Sequence, residues 1–218
     1  MKLVILNYGV GNIKSIQFAF DRLGVTAVLS SDAEEIKAAD KIIFPGVGEA
    51  SSAMKKLREA GLEDVITKLN QPVLGICLGM QLMCRKLEEG NTNGLGIFDV
   101  AVKRFSTSVK VPQMGWNTIA NLKSKLFEDI SDKEYMYLVH SYYVEENKNT
   151  IATTDYELPY ASAIQKDNFY GVQFHPEKSG KLGEKILKNF LNLPHADTQF
   201  RHLQMLKLPL KGFHCILF

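Results

Sequence analysis

The chain has 218 residues, 45% hydrophobic and 23% charged, and its 26 basic and 24 acidic side chains leave a net charge of +2. That length suits one domain, which can bury roughly 70% of its unfolded surface without a metal or disulfide staple. The balance excludes a disordered chain, an acidic tail, and nucleic-acid binding by bulk charge. Three scattered cysteines, Cys77, Cys84 and Cys215, form no CxxC pair, so neither a zinc site nor a disulfide framework is expected. The apolar run at the N-terminus is too short for a signal peptide, and no run approaches the ~18 apolar residues of a membrane span. A reducing, cytoplasmic setting is the expectation.

The first half alternates strand and helix. Leu3-Val4-Ile5-Leu6 reads as a strand buried on both faces. Gly9-Val10-Gly11-Asn12 breaks it, and Ile13, Ile16, Phe20 and Leu23 then recur at helical spacing up to Gly24. A strand over 26–29, a short helix over 33–39 with Asp32 as N-cap, and a strand over 41–44 follow. The pattern then predicts a helix over about 51–69, a buried strand over 73–76, and a helix over 78–87 closed by Gly90. Such alternation predicts an open, mostly parallel twisted sheet with helices on both faces. From Gly96 to Phe174 short β-like runs dominate (98–102, 135–139, 150–153, 161–165 and 170–174), which predicts an antiparallel β extension. The stretch 180–193 returns to helix. Residues 194–218 form an atypical tail with His195, His202 and His214, whose spacing matches no metal-ligand pattern.

Gly75-Ile76-Cys77-Leu78-Gly79 lies between a buried strand and a helix. It is a nucleophile elbow with Cys in place of Ser. The sharp turn exposes the side chain, and the glycines omit Cβ atoms that would collide with the turn and the substrate. A helix N-terminus favours the anionic, reactive form of a thiol, and the Leu78 N–H faces a developing oxyanion. Cys84, without a glycine frame, reads as core. A cysteine nucleophile needs a base and a group to orient it. His175, in Phe174-His175-Pro176-Glu177, ends an apolar strand. In an extended stretch Glu177 emerges on the same side and can fix the imidazole tautomer. His140, in Val139-His140-Ser141-Tyr142-Tyr143, is the rival base. Pro45-Gly46-Val47-Gly48 follows the third strand, so its backbone N–H groups would complete the oxyanion hole beside the elbow. Gly9-Val10-Gly11 with Asp32 is a weak dinucleotide signal, because Lys14 fills the third glycine position.

These motifs together, with Gln81, resemble the class I (triad) glutamine amidotransferases, a flavodoxin-like α/β family. Within that class the chain is similar to the glutaminase subunits of imidazole glycerol phosphate synthase. The residues behind the narrower resemblance are Asn7-Tyr8-Gly9-Val10-Gly11-Asn12, Pro112-Gln113-Met114-Gly115-Trp116-Asn117, His140-Ser141-Tyr142-Tyr143 and Gln173 to Gly180. The similarity covers about 1–193, which defines the expected amidotransferase domain and leaves 194–218 outside it.

The resemblance implies that Cys77 attacks the glutamine amide, that His175 held by Glu177 moves the protons, and that a γ-glutamyl thioester forms. It implies an oxyanion and substrate site of Gly46, Val47, Gly48, Leu78, Gln81, His140, Ser141 and Tyr142. It further implies a heterodimer with a (β/α)₈-barrel cyclase, contacted through Asn12, Met114, Trp116, Asn117 and Tyr143. That partner would convert the ammonia to imidazole glycerol phosphate and an aminoimidazole carboxamide ribotide. No metal and no cofactor are implied. Two rival readings are an amidotransferase of another pathway and an interaction protein that kept the fold without the chemistry.

Overall fold

The structure is a computed structural model that describes residues 1–194. Four short strands open it: β1 (Leu3–Leu6), β2 (Ala27–Ser30), β3 (Lys41–Phe44) and β4 (Val73–Ile76). β1, β3 and β4 are buried at every position, as strands covered on both faces must be. Alternate side chains enter opposite layers. Val4 and Leu6 join the layer covered by α2 (Ala33–Lys37), α3 (Ala50–Glu59) and α4 (Glu63–Thr67). Leu3 and Ile5 join the layer of α1 (Ile13–Arg22). Asp32 caps α2 by accepting the Glu35 N–H at 2.7 Å, a use that accounts for it without a nucleotide.

Two predicted helices are shorter than their patterns. The 51–69 pattern splits into α3 and α4 because Gly61 turns the chain at φ +67° and returns its N–H to the Arg58 carbonyl. The 78–87 pattern yields only α5 (Leu78–Leu82), and β5 (Cys84–Leu87) follows as a strand. The carbonyls of Leu82, Met83 and Cys84 accept from Leu95, Phe98 and Gly96, so tertiary pairing takes the acceptors a continuing helix would need. Gly94 permits this approach, since a Cβ there would lie 2.1 Å from the Cys84 carbonyl oxygen. Cys84 is nevertheless core, fully buried, and burial holds its thiol protonated.

The second half supplies β6 (Thr92–Asn93), β7 (Phe98–Arg104), β8 (Gln113–Ile119), β9 (Glu134–His140), β10 (Tyr142–Val144), β11 (Thr150–Tyr156), β12 (Leu158–Lys166), β13 (Phe169–Val172) and α6 (Gly180–Asn192). The large sheet runs β2-β1-β3-β4-β13-β12-β10-β7-β5-β6, with β11 on β12. It is parallel from β2 to β13 and mainly antiparallel beyond. β8 and β9, which the apolar runs only half indicated, form a separate two-stranded sheet. Its Met136 and Leu138 side enters the layer shared by α1 and α6. No helix of the described residues is long and apolar enough to cross a membrane. The tail histidines His195, His202 and His214 lie outside the described residues.

Candidate active site

β3 and β4 are parallel neighbours, so the loops leaving their carboxyl ends meet. Cys77 follows β4 with φ 54° and ψ −112°, a strained backbone for a residue with a side chain. The glycine frame answers to close contacts at the turn, as expected. A Cβ on Gly79 would sit 1.9 Å from the Phe44 carbonyl oxygen, and one on Gly75 would sit 2.5 Å from the Met83 terminal carbon. A Cβ on Gly46 would be 2.5 Å from the Gly79 nitrogen. The collisions are with β3, its loop and the elbow helix. They hold the Pro45-Gly46 main chain against the elbow. As first residue of α5, Leu78 has an N–H with no intrahelical acceptor.

β13 continues beside β4 and delivers Gln173, Phe174 and His175 to the same edge. His175 Nδ1 meets Glu177 Oε1 at 2.8 Å, with both side chains buried. The pairing does not come from an extended stretch. Pro176–Lys178 form a 3₁₀ turn that folds the carboxylate back onto the ring. Two bonds lock that turn: Ser179 Oγ donates to the His175 carbonyl at 2.7 Å, and the His175 N–H donates to the Tyr137 carbonyl at 2.9 Å. With Nδ1 engaged, Nε2 is the nitrogen left for proton traffic, and it has no hydrogen-bond partner among the described residues. Burial disfavours the imidazolium, but the adjoining Cys77 sulfur and the Glu177 carboxylate outweigh it and raise the His175 pKa to about 10.

His140 is not arranged as a base. Its Nδ1 donates to the Tyr142 carbonyl at 2.7 Å, and its Nε2 meets the Tyr160 hydroxyl at 3.2 Å. Burial lowers its pKa to about 4, so it is a neutral strut. The Tyr142 carbonyl also accepts from Gln81 Nε2 at 3.0 Å, and the same nitrogen donates to Gln173 Oε1 at 2.8 Å. Gln81 thus commits both amide hydrogens to the protein and leaves its oxygen for a ligand.

A cleft of about 310 Å³ opens over Cys77. Val47, Gly48, Leu78, Gln81, His140, Ser141, Tyr142 and His175 line it, together with Glu89, Val139 and Lys178. Glu89, absent from the sequence-based expectation, is half-buried, and burial raises its pKa while its Oε2 accepts the Ala50 N–H at 2.9 Å. It follows the short strand that the sequence presents as helix, so the pattern hid it.

The residues expected to meet a partner divide. Met114 is 65% exposed and Trp116 55%, on one face of β8 with Tyr137 and Val139 across from them. Asn12 is exposed before α1. Asn117 projects to the other side of β8, where its amide donates to the Asp155 carbonyl at 2.9 Å. Tyr143 is buried, its ring 4.7 Å from that of Phe105 and 6.0 Å from that of Tyr160, so it builds a core cluster and offers no docking surface.

Residues 4–193 match the family model for glutamine amidotransferase class-I. The chain is 58% identical over 196 residues to imidazole glycerol phosphate synthase subunit HisH of Bacteroides fragilis, covering 88% of this chain and 100% of that one. The HisH subunit of Haemophilus influenzae is 47% identical over 193 residues, with 88% of this chain and 97% of that one covered. A solved glutamine amidotransferase superposes with a TM-score of 0.68 at 18% identity, over 86% of this chain and 96% of that one, and shares the fold.

Proposed function

The chain belongs to the class-I glutamine amidotransferase family, and from that premise we propose that it hydrolyses glutamine through Cys77 and passes the ammonia to a cyclase subunit in histidine biosynthesis. The observation that carries the chemistry is the strained Cys77 beside a buried His175–Glu177 pair in one cleft. The Cys77 thiolate adds to the side-chain carbonyl carbon of glutamine, and the carbonyl electron pair moves onto oxygen. The Leu78 N–H and the Val47–Gly48 backbone receive that oxyanion. Collapse breaks the C–N bond, and His175 Nε2 gives its proton to the departing nitrogen as ammonia. A γ-glutamyl thioester remains. Neutral His175 then takes a proton from water as the water oxygen attacks, and the second collapse releases glutamate and restores the thiolate. Glu177 holds the ring so that Nε2 does this work. Glu89 and the free oxygen of Gln81 are acceptors suited to the α-ammonium of the substrate.

The partner is a (β/α)₈-barrel cyclase bound to the face that carries Met114 and Trp116, with Asn12 at its border. Val139, cross-strand from Met114, lines the cleft, so that face runs into the mouth of the site. The oxyanion loop is where such a partner would act. Gly46 is wedged on the elbow, but Gly48 has φ +88° and open space around its missing Cβ, so the Val47–Gly48 peptide is free to turn. A missing oxyanion donor is worth ~10²–10³ in rate. The reducing cytoplasm suits the free thiols of Cys77 and Cys84. The test is glutamine hydrolysis by the chain alone and with the cyclase and its nucleotide ligand. Activity should rise at least about tenfold in the complex, a conservative fraction of one donor's worth. A chain already at full rate alone overturns the gating.

A further inference from the structure

Gln173 is wholly buried, takes no part in the steps above, and does not line the cleft. Its Nε2 lies 3.6 Å from the Cys77 sulfur. Which amide atom faces the sulfur follows from a chain of bonds that starts at main chain. The Tyr142 carbonyl can only accept, so Gln81 must turn its nitrogen toward it. That nitrogen's second hydrogen reaches Gln173 at 2.8 Å, so Gln173 must present its oxygen there. Its N–H₂ is left for the sulfur. His140 holds the Tyr142 carbonyl from the other side at 2.7 Å. The sulfur also meets an acceptor, the Val139 carbonyl at 3.8 Å, which serves a neutral S–H and gives nothing to an anion.

We propose that Gln173 is a further member of the catalytic constellation: its amide donates to the Cys77 sulfur, favours the thiolate before attack and in its departure from the thioester, and is held in that orientation by the Gln81–Tyr142–His140 relay. The inference rests on the reading of Cys77 as nucleophile. A donor aimed at an anion is worth more than a neutral hydrogen bond, and burial shields this one from competing water. Gln173 sits behind the nucleophile and does not line the cleft, but its oxygen also holds Gln81, so its loss should act on turnover through the sulfur and on substrate binding through Gln81.

The test uses the full chain with its cyclase partner, comparing wild type with Gln173→Met, which keeps volume and loses the donor, and Gln173→Glu, which sets a carboxylate beside the sulfur. Cys77 is labelled with a glutamine-analogue electrophile across pH, and kcat and KM are measured. Gln173→Met should lower kcat about tenfold or more, the worth of a hydrogen bond to a charged group, while any rise in KM reads the loosened Gln81. Its labelling profile should move to higher pH, and Gln173→Glu should move further. A Gln173→Met protein that labels and turns over like wild type overturns the proposal. Should either variant fail to fold, the side-chain amide resonance of Gln173 in isotopically labelled wild type is followed instead. It should titrate together with the labelling profile, and a resonance indifferent to it overturns the proposal. Wild type unlabelled at Cys77 would overturn the nucleophile reading itself, a result distinct from both.

Discussion

The two walls of the cleft are built by different physics. On the parallel-sheet side, the elbow and the Pro45-Gly46 loop are held by main-chain contact so close that three positions admit no Cβ. On the β9–β10 side, Val139, His140 and Tyr142 are held by hydrogen bonds among buried polar groups. A steric wall tolerates no intermediate positions, because close-packed atoms either fit or displace their neighbours. A polar wall responds in degrees, to a lost donor or to a proton. The nucleophile belongs to the first wall and its electrostatic tuning to the second.

The largest expected effect lies at the junction. Cys77→Ala should abolish glutamine hydrolysis and electrophile labelling while the melting temperature stays near wild type, whereas Cys84→Ala leaves the chemistry almost untouched. An adduct found on Cys84 by mass spectrometry, with Cys77 unmodified, would remove the elbow from the comparison. His175→Ala should come next, and Glu177→Gln should cost less than it, since a residue that orients a base can be lost at smaller cost than the base. Equal losses in folded proteins would mean that Glu177 does more than orient. The sign with pH is also fixed. The Glu177 charge helps raise the His175 pKa to about 10, so Glu177→Gln should lower the pH at which the ring gives up its proton, read by NMR titration. The stability that the Cys77 sulfur and then the Glu177 carboxylate give the imidazolium is present below the ordinary histidine value and lost as pH rises through about 10.

Gly79→Ala tests the steric wall. Its Cβ would arrive 1.9 Å from the Phe44 oxygen, so β3 and the loop must move. Melting should fall by an amount worth about 1–3 kcal/mol, as for other overpacked sites, and turnover should collapse with it. Trp116→Ala should weaken cyclase binding by about 2 kcal/mol, measured by calorimetry, and leave labelling of Cys77 intact. Titration of the wild type tests the polar wall without any substitution in the site. His140 is kept neutral, with a pKa of about 4 against an ordinary value near 6.5. Wild type should lose up to ~3 kcal/mol as pH falls from about 6.5 toward 4, and His140→Gln should lose less over the same range in urea melts.

The members of both walls were legible in the sequence, but the bonds that make the polar wall were not. Gly75, Cys77 and Gly79 are neighbours in the chain, as are His175 and Glu177, so local spacing betrays them. Gln173 reaches Cys77 across 96 positions and Gln81 across 92, and no local pattern encodes such a meeting. Glu89 was hidden by the apolar Leu82 and Met83, which prolong a helical pattern where cross-chain pairing to 95–98 makes a strand. Tyr143 misled for the same reason: an aromatic beside a site motif reads as exposed until Phe105 and Tyr160 arrive from distant segments to bury it.

The glycine contacts also say something about descent. Every missense change reachable by one nucleotide from a glycine codon adds a Cβ, and at Gly79 that carbon lands on the Phe44 carbonyl, at Gly46 on the Gly79 nitrogen. The elbow can therefore be lost in a single mutational step but not adjusted in one. Divergence among chains that keep this chemistry should accumulate in the wall of hydrogen bonds, where Gln, His and Tyr can be exchanged gradually, while the three glycines stay as they are or the activity disappears.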